Sequence, residues 1–330
     1  MRESTGGLLE RIAGDLGRAL GEPVARVRPI PEGHSGFTYW VDLQRGDGAG
    51  QAVLRLPPPG TRPSGPADIP RQARLLRALH EAGVAVPRVL ATSEAPLVDG
   101  RPYCLMEHVE GDRVEVAAGR DDPALARSAI EQLHLLQAVP AERTGIGDEA
   151  PVGLAQEIER WAWLLERSPR ELVGRAPEVR SRLQRTLPRE GPAVLVHGDY
   201  HYGNMLFRQS RVIALLDWEI AELGQPLLDL ACMVVVGRAH HGSAPGVPGA
   251  GALEVPEADL LRWYGIGQGE FRWPLALTYY KYAAIFGYNL MLHRRGKRPD
   301  PTYESRADTI VAFLDEAASL LDNGDQGGAV

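Results

Sequence analysis

Leu195 to Phe207 reads LVHGDYHYGNMLF, and shortly afterwards Leu215 to Ala231 reads LLDWEIAELGQPLLDLA. Both stretches set acids beside runs of Leu, Val and Ile. A carboxylate there is unfavourable unless a cation or hydrogen-bond donors meet it. Asp199 and Asn204 lie five positions apart, on a loop leaving the expected strand at 193–196. Asp217 follows eighteen residues after Asp199, at the end of a second expected strand at 211–217. Two neighbouring strand ends would then present two carboxylates and an amide to one space. That set suits phosphoryl transfer: one carboxylate orients an attacking hydroxyl and accepts its proton, while the other, with an amide oxygen, holds Mg²⁺ against nucleotide phosphates. Mg²⁺ prefers hard oxygen donors and takes only one or two protein carboxylates.

The elements that must position these groups divide the chain in two. GHSGFTYWVDLQ and QAVLRLP read as strands, rich in aromatic and β-branched residues, with a turn at Gly46 to Gly48. RQARLLRALHEAG is a helix with Ala73, Leu76 and Leu79 on one face and Gly83 at its end. VPRVLAT and PYCLMEHVEG give a further strand pair. From Asp121 the spacing turns helical, in DPALARSAIEQLHLLQAV, GLAQEIERWAWLLERS, APEVRSRLQRTL, WPLALTYYKYAAIFGYNLMLHRRG and YESRADTIVAFLDEAASLLD. This predicts an α+β chain of two lobes: a β-rich lobe over 1–109 and a mostly helical lobe over 110–322, with a ligand cleft between them. Gly242 to Gly251 read as a mobile loop, and 323–330 as a disordered tail.

Composition bounds the partners. The apolar and charged fractions, 44% and 24%, are those of a soluble globular protein, and 330 residues suffice for two lobes. A formal net charge of -7 argues against a nucleic-acid binder. Cys104 and Cys232 sit singly in apolar sequence and read as buried small residues, neither a disulfide framework nor a zinc site. The N-terminus reads as an amphipathic helix without the apolar segment of a signal peptide, and no stretch approaches a membrane span. The expected location is the cytoplasm. The spacing of His134, His240, His241 and His293 suggests no zinc site.

HGD, four residues, then Asn, followed by Asp-Trp-Glu at Asp217, resembles the signature of the aminoglycoside phosphotransferase-like kinases. These are small-molecule kinases with the bilobal protein-kinase-like fold, and the resemblance runs through most of the chain. It is nearest to the branch whose members also occur fused to acyl-CoA dehydrogenases. It implies that Asp199 is catalytic, that Asn204 and Asp217 bind magnesium, and that Asp229 buttresses the catalytic loop. GHSGFTY would be the nucleotide-covering loop, with Gly33, Ser35 and Gly36 offering backbone N–H groups to phosphates.

The resemblance also implies two departures. Arg55 stands where the family usually has a lysine that contacts the phosphates, and the two cations are not interchangeable. Gln72 stands where a glutamate would pair with that cation; an Arg–Gln contact keeps a hydrogen bond and loses the ion pair. Glu107, His108 and Val109 would line the base of ATP or GTP with Met106 behind it, the alternative being a strand end that only packs. Tyr279, Tyr280, Lys281, Tyr282, Tyr288, Asn289, His293 and Arg294 are candidates for an acceptor pocket. The basic run HRRGKR, if it faces the site, favours a neutral or anionic hydroxylated acceptor such as a hydroxy acid or secondary metabolite over a polycationic antibiotic. The rival reading is a pseudokinase-like binding module, motivated by Gln72 and opposed by the intact Asp199, Asn204 and Asp217.

Overall fold

Alternation of apolar residues in the first hundred positions builds one sheet. The computed structural model describes residues 5–30, 37–45, 48–60, 64–119, 122–238, 253 and 255–322. Helix α1 (Thr5–Leu20) is followed by β1 (Val24–Pro29), β2 (Phe37–Arg45) and β3 (Gly48–Leu56). Then come α2 (Ile69–Glu81), β4 (Val89–Val98) and β5 (Arg101–Glu107). The strands pair antiparallel in the order β1-β2-β3-β5-β4. Tyr39, Val41 and Leu43 with Ala52, Leu54 and Leu56 form one face, packed with Ile12 and Leu16 of α1. Because strand side chains alternate, Val53 and Arg55 occupy the opposite face, as do Cys104 and Met106. Cys104 is the register partner of Arg55, and Cys104 and Met106 join the core that includes α2.

The helical part begins with α3 (Val114–Ala117), α4 (Asp122–Gln137), α5 (Leu154–Leu165) and α6 (Ala176–Arg185). Four short strands interrupt it: β6 (Val194–Val196), β7 (Met205–Arg208), β8 (Arg211–Leu215) and β9 (Glu222–Gly224). It closes with α7 (Leu227–Arg238), α8 (Glu257–Tyr264), α9 (Gln268–Arg294) and α10 (Ala307–Asp322). Helix α7 is apolar on every side, as befits a helix surrounded by others; Leu230 to Val235 are all buried.

The expected strands at 193–196 and 211–217 are not partners. β6 pairs with β9, and β7 with β8, in two separate ladders. Their ends nevertheless meet, because the His197 ring, just past β6, bonds the Leu216 carbonyl, just past β8, at 2.8 Å. Among the described residues no helix is long and apolar enough to cross a membrane. The anticipated turn residues Gly46 and Asp47, the Gly242 to Gly251 loop and the 323–330 tail lie outside the described residues.

Candidate active site

The loop after β6 is shaped by its own backbone. Gly198 adopts φ +82°, and a Cβ there would stand 2.7 Å from the Ile220 carbonyl oxygen, so only glycine fits without strain. Asp229, fully buried in the first turn of α7, accepts the His197 N–H at 2.7 Å and the Gly198 N–H at 2.9 Å. Burial pushes its carboxyl pKa up, against the pull of His197 and those two N–H groups. The buttressing role implied for Asp229 thus has a geometry: it holds the two residues before Asp199.

His197 joins the two ladders. Its Nδ1 accepts the Asp199 N–H at 3.2 Å, so the neutral ring carries its proton on Nε2, which donates to the Leu216 carbonyl at 2.8 Å. Trp218 packs against the ring at 4.5 Å between centroids. The imidazole therefore fixes the backbone before Asp217 relative to the backbone of Asp199.

Asp199 keeps 28% of its side chain open. Its Oδ1 accepts from the Tyr282 hydroxyl at 2.6 Å, and its Oδ2 from Asn204 Nδ2 at 3.1 Å, with His201 Nε2 3.3 Å away. Burial alone would raise its pKa. His201, by charge and hydrogen bond, then Lys281 and the Tyr282 hydroxyl outweigh that and place the carboxyl well below the usual carboxylate range. Lys281 is buried beneath the loop, where its ammonium donates to the Gly198 carbonyl.

The amide of Asn204 also donates to the Asp199 carbonyl at 3.0 Å. With its NH₂ engaged, Asn204 presents Oδ1 as its acceptor. Asp217 has φ +65°, unusual for a residue with a Cβ, in the segment joined to Asn204 through Leu216. Burial raises its pKa and nearby Asp199 adds to that, whereas Arg55 opposes it. Arg55 lies 3.6 Å from both Asp217 and Glu219, ion-pair contacts too long for good hydrogen bonds. An amide oxygen and a carboxylate beside one partly compensated acidic cluster are the hard donors Mg²⁺ takes, so these residues fit that ion.

The family model described as "Phosphotransferase enzyme family" matches residues 26–270. The chain belongs to this family. Acyl-CoA dehydrogenase family member 11 of Rattus norvegicus is 29% identical over 286 residues, which cover 79% of this chain and 36% of that protein. The chain therefore spans about a third of the length of such relatives. The probable ketoamine kinase of Thermus thermophilus is 34% identical over 226 residues, covering 66% of this chain and 79% of that one. Among solved structures, a candidate aminoglycoside phosphotransferase of Ralstonia eutropha JMP134 superposes with a TM-score of 0.74 at 21% identity, covering 94% of this chain and 98% of that one. The chain thus has the expected bilobal protein-kinase-like fold, with a β-sheet N-terminal region and a helical C-terminal region.

Other anticipated positions fall differently. Gly33, Ser35 and Gly36 lie outside the described residues. Gln72 is buried on α2, but its amide donates to the Pro66 carbonyl at 2.9 Å, so the expected Arg55–Gln72 contact is replaced by the Arg55 contacts to Asp217 and Glu219. Glu107 gives its backbone N–H to the Arg88 carbonyl and accepts the Arg88 N–H on its carboxylate, both at 2.9 Å. His108 packs edge-on to Trp40 at 4.8 Å, and Val109 is half-buried beyond the end of β5.

Of the acceptor candidates on α9, only Tyr282 touches Asp199 among the described contacts. Tyr280 is buried, Asn289 accepts from Arg298, and His293 accepts the Asp300 N–H. Arg294 pairs with Glu304 at 2.8 Å and Glu171 at 2.7 Å, so this member of the basic run carries its own counter-charges. His201 escaped the sequence reading, although its place two residues after Asp199 in HGDYHYGN was a visible signal.

Proposed function

We propose that this chain is a phosphotransferase that moves the γ-phosphate of ATP or GTP to a hydroxyl of a small molecule, with residues 1–109 holding the nucleotide and 110–322 the acceptor. The observation that carries this reading is the Asp199–Asn204 pair: a carboxylate fixed at both oxygens by Tyr282 and Asn204, with the Asn204 backbone bonded to Leu216, next to Asp217. Asp199 receives the acceptor hydroxyl. Its depressed pKa suits orientation and late proton acceptance, since phosphoryl transfer has a loose transition state and asks more of positioning than of basicity. Asn204 and Asp217 hold Mg²⁺, which supplies charge neutralisation at the β- and γ-phosphates when bound. Arg55 turns from Asp217 and Glu219 to the phosphates; Gly33, Ser35 and Gly36 cover them, and Glu107 and Val109 flank the base.

The acceptor class follows from what α9 offers. Arg294 is neutralised by Glu304 and Glu171, which weakens the reason to prefer an anionic acceptor. A neutral hydroxylated metabolite or antibiotic stands beside a hydroxy acid. The dehydrogenase named in some relatives belongs to proteins about three times as long as the matched stretch.

The test is calorimetric binding of non-hydrolysable ATP and GTP analogues, with and without Mg²⁺, to wild type and Asp217→Ala, followed by an acceptor screen that includes Asp199→Asn. Binding that needs Mg²⁺ and weakens in Asp217→Ala supports the site. Asp199→Asn should then lower turnover about 10²- to 10⁴-fold with analogue affinity nearly unchanged. Wild-type binding of nucleotide without any transfer would favour the binding-module reading that Gln72 motivates.

A further inference from the structure

Helix α2 is inserted between β3 and β4 of the sheet, yet its first turn reaches into the other half of the molecule. Arg71 is buried, with 3% of its side chain exposed. Its Nε donates to Glu149 Oε1 at 2.6 Å and its Nη2 to Glu149 Oε2 at 2.7 Å. Nη2 also donates to the Ala221 carbonyl at 2.9 Å. Glu149 lies on the connection between α4 and α5, and Ala221 stands four residues beyond Asp217. The contact is flush: Gly145, at φ +77°, lies so close to α2 that a Cβ would be 2.9 Å from the Arg74 carbonyl oxygen. Arg160 of α5 grips Glu222, the residue after Ala221, at 2.8 and 2.9 Å, a second anchor on the same segment.

The neighbouring residue makes this arrangement informative. Gln72 turns to Pro66, so α2 does not reach the site by gripping Arg55. Its link to the reacting region runs through Arg71 to the segment that carries Asp217 and Glu219, and Arg55 on β3 faces those same two acids. A bidentate guanidinium with a third bond fixes direction as well as distance, which an ammonium could not do.

We propose that Arg71 is a positioning residue: with Glu149 as counter-ion it registers α2 to residues 217–221, and so holds Asp217 where the metal–nucleotide complex needs it. The inference rests on the phosphotransfer reading. It assigns to Arg71 the task of coupling the inserted helix to the site.

The test combines two readouts on wild type, Arg71→Met and Glu149→Gln. Calorimetry with ADP, with and without MgCl₂, should give metal-free affinities within about twofold of one another, whereas the gain conferred by Mg²⁺ falls about tenfold in Arg71→Met and less in Glu149→Gln, where the Ala221 bond survives. Hydrogen exchange of the amides at 216–222 should quicken about tenfold in Arg71→Met without any nucleotide present. An undiminished Mg²⁺ gain in folded Arg71→Met overturns the proposal. If Arg71→Met does not fold, the half-open Glu149→Gln carries both measurements. If wild type gains nothing from Mg²⁺, the phosphotransfer reading falls instead, and unchanged exchange at 216–222 would then overturn the positioning role by itself.

Discussion

His197 shows how one buried side chain can set two loops at once. It does so only as a neutral ring: Nδ1 faces the N–H of Asp199, and a proton there would set donor against donor. Burial accordingly lowers its pKa. In the unfolded chain the same imidazole titrates near about 6.5. Above that pH both states are neutral and the contribution is whole. As pH falls below about 6.5 the unfolded chain takes up a proton that the folded one refuses, and stability declines until the folded ring also protonates. The expected slope is at most about 1.4 kcal/mol per pH unit for this one group. Urea unfolding of wild type and His197→Gln at several pH values between 7.5 and 5 isolates it. The wild-type curve should fall more steeply, and parallel curves would refute the assignment.

Among the elements, the loops after β6 and β8 decide the geometry, and they do so by mutual contact rather than by strand pairing. Gly198→Ala would bring a methyl against the Ile220 carbonyl at a left-handed φ. Local strain of about 1–2 kcal/mol would join a displacement of the segment behind Asp217. We expect a lowered denaturation midpoint together with loss of the Mg²⁺-dependent part of nucleotide binding; retention of that part would show that the two loops are not rigidly coupled. The sequence made β2, β3, α2, α5 and α6 readable, because each alternates or repeats with a clear period. It left α7 unread, since a helix apolar on all sides has no period to detect. Strands β7 and β9, four and three residues long, were equally hidden. The acids and amide of the site were legible because they cluster in thirty residues. Their supports were not: Tyr282 stands 83 residues from Asp199, and Arg71 stands 150 from Ala221, distances that only folding closes.

In the whole molecule the division by apolar core differs from the division by chain order. The smaller core holds α1 against one face of the sheet, through Ile12, Leu16, Val41, Leu54 and Leu105. The larger one runs unbroken from α2, through Ile69, Ala73, Leu75, Leu76 and Leu79, into α4, α5, α7 and α9. Hydrogen bonds follow the same line: Leu215 N–H donates to the Ala85 carbonyl at 2.7 Å, and Ala85 N–H to Gln132 of α4 at 2.9 Å. Helix α2 is thus inserted in the sheet by sequence and seated with the helices by packing. Opening free energies should follow burial rather than connectivity, since a segment exchanges with the unit whose core it shares. Native-state hydrogen exchange in low denaturant should therefore show α2 amides protected to the level of α7 and α9, while α1, β1 and β2 open at a lower free energy. The opposite pattern, α2 opening together with β1 and β2, would mean that the inserted helix follows its strands. The position of Asp217 would then depend on the sheet more than on the helices that frame it.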